Sequence, residues 1–327
     1  MALDLSLLWD DSIDPAVEPR RILITRGEFI DPARDDRKVP WKIYYPTDDA
    51  GEQLPVVIWS HGLGGSRDGA GFISRFVSSH GYIVVHVQHR GTDSSLWEGQ
   101  PGHPWDAIRR ATITRETVLN RYRDIPFLLD QLMIWAKDHP DIGARMDFSR
   151  IGMSGHSFGG GTTQIMAGQK LDEGDGLYDM REPRFTAGIV YSPVPSSIRS
   201  LASPASGDDR AAIYRDIAIP LLMMTGTADE SPIEGFGYDR RMEVFELSGG
   251  PDQNLLMLNG GDHMVYNGSR GQLGDNPLRE PHETIIKVAS LAWWDAYLKG
   301  DRVAHEWLIG GGLARWMDDL GTLTHRP

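Results

Sequence analysis

The chain has 327 residues, 40% hydrophobic and 24% charged, and its 33 Lys+Arg against 46 Asp+Glu give a formal charge of −13, the profile of an ordinary soluble globular protein. The absence of cysteine excludes disulfide staples, thiolate metal sites, iron–sulfur clusters and a cysteine nucleophile together. The acidic balance, with no concentrated basic patch, argues against nucleic acid as a partner, and no apolar run approaches the roughly 18 residues of a membrane span.

The opening MALDLSLLWDDSIDP carries no basic segment and is broken by acids from Asp4 onward. It does not read as a secretory signal, and a cytoplasmic location is expected. Short β-branched runs follow at 21–29 and 41–45, joined by an Asp/Arg-rich turn that predicts an antiparallel hairpin. The next strand, 55–60, runs into Ser60-His61-Gly62-Leu63-Gly64-Gly65. Glycines there let backbone amides turn toward a ligand. Phosphate binding is the competing reading, but no Lys-Ser/Thr pair stands at P-loop spacing and the glycines fail G-x-G-x-x-G.

A helix is predicted at 71–80 and a strand at 82–88, whose His86 and His89 fall on opposite faces and so do not share a metal. A Gly/Pro-rich excursion, 91–104, carries Trp97, with Trp105 just beyond; either ring serves as a pocket wall or as packing. The segment 112–138 reads as a helix because Ile125, Leu128, Leu129, Leu132, Met133 and Trp135 recur at helical spacing. Arg109, Arg110 and Arg115 are assigned to a helix beside Glu116, as a solvated face. Strands at 149–154, 185–192, 220–225 and 254–258 and helices at 159–169 and 283–299 complete the pattern. Two further loops, 193–217 and 265–281, are potential lids. Eight strands alternating with helices, and no linker between them, predict one α/β domain over 1–327, built on a mostly parallel eight-stranded sheet with helices on both faces.

The strand at 149–154 runs into Gly155-His156-Ser157-Phe158-Gly159 and a small-residue helix. G-x-S-x-G matters at such a junction because a sharp turn there lifts the serine hydroxyl off the sheet, and the flanking glycines remove side chains that would clash. A hydroxyl needs a neutral imidazole to take its proton. Of 11 histidines, His263 in Asn259-Gly260-Gly261-Asp262-His263 lies just past a strand at the carboxyl edge of the sheet, whereas His282 opens a helix and His305 and His325 lie in the tail. The imidazole needs a carboxylate in turn. Asp229, in Gly226-Thr227-Ala228-Asp229-Glu230, is favoured over Glu230, which faces the other way, and over Asp262, which is adjacent to the histidine. Oxyanion donors are expected from the Leu63 and Phe158 amides. His61 and His156 flank these loops as supporting or pocket residues.

HGLGG, GHSFGG, GTADES and GGDHM, each after a strand and in that order, resemble the α/β-hydrolase superfamily. Within it the first two resemble platelet-activating-factor acetylhydrolase and dienelactone-hydrolase-related esterases, near the polyester-cleaving enzymes. The segment AWWDAYLKGD at 292–301 is similar to the terminal helix of that group. The resemblance spans about 55–301. It implies Ser157 as nucleophile, Asp229 as acid, His263 as base and Leu63 and Phe158 as oxyanion donors. True dienelactone hydrolases use cysteine, which this chain lacks, and that leaves hydrolysis of short-to-medium acyl esters. The scheme calls for no metal and no organic cofactor. Other serine hydrolases (lipase, amidase, peptidase) and acyltransferases share the machinery, and a non-catalytic scaffold would lack a triad member. Oligomeric state is left open.

Overall fold

Nine strands, not eight, form the main sheet. The computed structural model describes residues 3–47, 51–196, 207, 209–268 and 276–327; parts of the loops 193–217 and 265–281 lie outside these. In chain order the strands are β1 (Ile22–Asp31), β2 (Arg37–Pro46), β3 (Leu54–Ser60), β4 (Ile83–Val87), β5 (Met146–His156), β6 (Leu171–Asp172), β7 (Leu177–Tyr178), β8 (Phe185–Tyr191), β9 (Leu221–Ala228), β10 (Gln253–Asp262) and β11 (Gly321–Arg326). The helices are α1 (Gly71–Ser79), α2 (Pro104–Arg110), α3 (Arg115–Asp138), α4 (Pro140–Gly143), α5 (Phe158–Ala167), α6 (Ala211–Tyr214), α7 (Tyr238–Leu247), α8 (Arg279–Leu298), α9 (Arg302–Ile309) and α10 (Gly312–Met317).

The main sheet runs β1-β2-β4-β3-β5-β8-β9-β10-β11. β1 pairs antiparallel with β2, as the short turn requires, and β2 pairs antiparallel with β4. From β4 to β10 every pairing is parallel. The ninth strand is β11, which closes the far edge antiparallel to β10. Its sequence GTLTHR is short and polar, so only pairing with β10 makes it a strand. His325, expected in a tail, therefore sits opposite Asn254, and His305 lies in α9.

Alternation along the strands feeds two cores. Val57 and Trp59 of β3 join α1 and α8 on one face, while Val56 and Ile58 join α3 on the other. β8 to β10 divide likewise, with Leu222 and Leu256 toward α8 and Leu221 and Leu255 toward α7. The polar excursion after β4 is more ordered than its composition suggests. Pro104 opens α2, and the His103 side chain caps it by accepting from the Trp105 amide. Arg109 and Arg110 end α2 and Arg115 begins α3, so the three arginines do not share one helix. Thr114, which accepts from the Thr117 amide, caps the second helix and separates the two.

Candidate active site

β5 delivers Ser157 to the carboxyl edge of the sheet, and α5 leaves immediately after it. Ser157 has φ 55° and ψ −118°, a region that side chains rarely occupy and that costs on the order of 1–3 kcal/mol. The turn is feasible only because its flanks lack side chains. A Cβ on Gly159 would lie 1.9 Å from the Ser60 carbonyl oxygen, and one on Gly155 would lie 2.3 Å from the Gly159 carbonyl oxygen. Both obstacles are backbone, so rotamer changes give no relief. Gly159→Ala is expected to lose soluble folded protein or, where it folds, nearly all labelling of Ser157 by a fluorophosphonate. Wild-type labelling in that variant would show the turn is not this tight.

His263 follows β10, and its Nδ1 lies 2.7 Å from Asp229 Oδ1 beyond the end of β9. Asp229 is fully buried. Its other oxygen accepts from Thr225 Oγ1 at 2.8 Å, and Arg241 of α7 brings Nε to 3.0 Å from Oδ1. Burial alone would push this carboxyl up, but His263 and Arg241 outweigh it and hold it at about 2. Asp229 is therefore an ionised acceptor at neutral pH. It draws the imidazole proton to Nδ1 and leaves the Nε2 lone pair free. Arg241 Nη2 packs 3.1 Å from His263 Nδ1, and Nη1 donates to Pro193 O at 3.0 Å, tying α7 to the ends of β8 and β9.

Two peptides present amides beside Ser157. The Ser157 N–H donates to Tyr191 O and the Ser157 carbonyl accepts from Gly161 N–H, both at 2.9 Å. In a trans peptide the following N–H points opposite to that carbonyl, so the Phe158 N–H faces out of the helix start. The Gly62 carbonyl is likewise held inward, by Gly65 N–H at 3.0 Å and His61 Nδ1 at 2.7 Å. The Leu63 N–H across that peptide points the other way. His61, expected as a supporting or pocket residue, is buried behind the loop in the supporting position, where its Nε2 accepts from the His89 N–H at 3.0 Å.

Ser157 opens on two recesses. The smaller, about 260 Å³, is walled by His263, His156, Trp97, Trp105 and Ile108, so the two tryptophans do face a pocket. Trp97 also fastens the glycine loop after β3, donating from Nε1 to Gly64 O at 2.7 Å. His156 is held by its own bond, Nε2 donating to His263 O at 2.7 Å. The larger recess, about 920 Å³, is lined by Leu63, Phe158, Ile165, Val194 and Ile233 and also by Arg115, Lys170 and Glu173. Arg241 and Thr225, which complete the acid's surroundings, escaped the sequence reading. Asp262, the rejected acid, instead accepts from Asn276 Nδ2 at 2.7 Å.

The sheet order, the elbow after β5 and the acid and imidazole after β9 and β10 define an α/β-hydrolase fold. A family model for platelet-activating factor acetylhydrolase, isoform II, matches residues 37–99. Curated relatives include a platelet-activating factor acetylhydrolase from Cavia porcellus, 27% identical over 300 residues, which cover 83% of this chain and 63% of that protein. One from Bos taurus is 28% identical over 239 residues, covering 63% and 49%. The chain thus has an α/β-hydrolase fold and resembles the platelet-activating factor acetylhydrolases, and it spans less than two thirds of the length of these relatives. Among the described residues no helix is long and apolar enough to cross a membrane.

Proposed function

We propose that the protein is a serine carboxylester hydrolase. Ser157 Oγ attacks the ester carbonyl while His263 Nε2 takes its proton, and Asp229 stabilises the imidazolium that forms. The Leu63 and Phe158 amides hold the oxyanion. The tetrahedral intermediate collapses as His263 protonates the leaving alcohol. Water then attacks the acyl-enzyme by the same steps and frees the acid. The observation that carries this reading is the 2.7 Å Asp229–His263 contact opening on the recess that also exposes the strained Ser157.

The leaving alcohol needs the imidazolium and so belongs in the smaller recess, between His263 and the tryptophans. The acyl group then enters the larger one. Its apolar lining runs along α5, whose 10 residues span about 15 Å, before Lys170 and Glu173 are reached. That favours short-to-medium acyl chains. The names of the relatives add acetyl esters of phospholipids to this class, and polyesters stay in it as bulkier members.

A fluorophosphonate is expected to add one adduct, at Ser157, and to abolish hydrolysis of p-nitrophenyl esters. In a chain-length series from acetyl to octadecanoyl, kcat/KM should fall beyond dodecanoyl. An acetylated ether phospholipid and a polyester film extend the panel. Full esterase activity in labelled protein, or in Ser157→Ala, would refute the assignment.

A further inference from the structure

We propose that Arg121 is a positioning residue that fixes the two oxyanion peptides relative to each other. The inference rests on the ester-hydrolase reading above and concerns a cluster that reading does not use. Arg121 lies on α3 with no exposed surface, and its fork reaches the groups that adjoin both peptides. Nη2 donates to Ser60 Oγ at 2.8 Å and also to the His61 carbonyl, at the base of the loop that carries Leu63. Nη1 donates to Thr92 Oγ1 at 2.8 Å, and Thr92 O accepts from Gly64 N–H in the same loop at 2.9 Å. Nε donates to Thr162 Oγ1 at 2.8 Å, and that hydroxyl donates to the Phe158 carbonyl at 2.9 Å. The guanidinium also stacks 4.4 Å from the centre of the Phe158 ring.

A second set of groups fixes the polarity of this clamp. Asp124, bonded by Arg34 and Arg37, accepts only. His89 therefore donates from Nδ1 to Asp124 at 3.0 Å and accepts at Nε2 from Ser60 Oγ, also at 3.0 Å. That leaves the Ser60 lone pairs for Arg121. Burial, with Arg121 adjacent, holds His89 at about 4, consistent with the neutral ring this requires. Ser60, His89 and Asp124 repeat the residue types of the catalytic set. Yet all three are sealed from solvent, and the serine oxygen already receives a cation. They form a brace, not a second nucleophile. A planar fork with this many partners has no lysine equivalent.

The test is kcat per active site, counted by fluorophosphonate titration, in wild type, Arg121→Lys and Arg121→Met. Both variants are expected to lose about 10²-fold in kcat per titrated site, with KM within about threefold of wild type. Affinity for a trifluoromethyl ketone, which forms a tetrahedral adduct, should fall by a matching factor. A purely structural role would lower the titre alone, so unchanged kcat per titrated site overturns the proposal, as does a change confined to KM. Should neither variant fold, Ser60→Ala and Thr162→Val each remove one arm. Each is then expected to cost about tenfold in kcat per site, and wild-type values in both would overturn the proposal. Wild-type protein with no Ser157 adduct refutes the ester-hydrolase reading along with this one. A labelled, active wild type with fully active Arg121 variants refutes this one alone.

Discussion

Replacing Ser157 with glycine is expected to abolish ester hydrolysis and at the same time raise the unfolding temperature. In the proposed mechanism the hydroxyl supplies the nucleophile, so kcat should fall by about 10⁴–10⁶-fold. The stability gain has a separate origin. At φ 55° and ψ −118° the serine Cβ crowds its own backbone, a cost on the order of 1–3 kcal/mol that glycine does not bear. Glycine gives back part of the gain because the unfolded chain becomes freer, by about 0.5–1 kcal/mol. A net gain of about 1 kcal/mol would appear as roughly 2 °C in a chain of this size. Ser157→Ala is the control. It is equally inactive but keeps a Cβ in the strained turn, so its melting temperature should stay near wild type. Calorimetry of the three proteins decides the matter. A glycine variant no more stable than the alanine variant would mean that the elbow stores no strain.

The same crowding explains why this part of the site was legible in the sequence. Gly155 and Gly159 stand where a Cβ would strike backbone, and that restriction leaves a written signature. Asp229 and His263 were legible because each follows an apolar strand whose end the parallel topology brings to one rim. The braces behind them left a fainter trace. Arg121 and Asp124 precede Ile125 and Leu128 at i, i+3, i+4 and i+7, so they share the apolar face of α3. Two charges on a buried stripe were the available clue. Arg241 left a weaker one: it shares a face of α7 with Val244 and Phe245 at i+3 and i+4, but this segment is not among the predicted helices, so its arginine resembles any solvated one until the fold closes around it. β11 was invisible for a related reason, since its pairing depends on a partner more than 60 residues away. The orientation of His61 depends on the His89 amide, which periodicity does not register.

Acid is expected to unfold the protein early, with a proton uptake of about four at pH 5. Four histidines are buried and already committed as neutral rings. His86 donates from Nδ1 to Arg67 O at 2.9 Å and accepts at Nε2 from Ser74 Oγ at 2.6 Å, and His61, His89 and His156 hold the bonds described above. Burial is the leading cause in each case; it takes His86 to about 3, His89 to about 4 and His156 to about 3, and holds His61 well below the ordinary 6.5. Between pH 6.5 and 4 the unfolded chain binds these protons and the folded one does not, so stability falls as pH falls. Each ring contributes about 1.4 kcal/mol per pH unit, or about 5.5 kcal/mol per unit for the four. Against a total of about 5–15 kcal/mol, the transition should come well before the carboxylates titrate. Asp229, held at about 2 instead of 3.8, acts in the same direction but only below pH 4. Its contribution is present above its unfolded value and lost as pH drops toward 2. Urea titrations at pH 7, 6 and 5, read as unfolding free energy against pH, measure the slope directly. His86→Gln should lower the proton count to about three, whatever it does to stability at pH 7. An uptake below one proton in the wild type would mean that these rings are charged in the folded protein, and the bond directions assigned to His89 and His156 around the site would then have to be reversed.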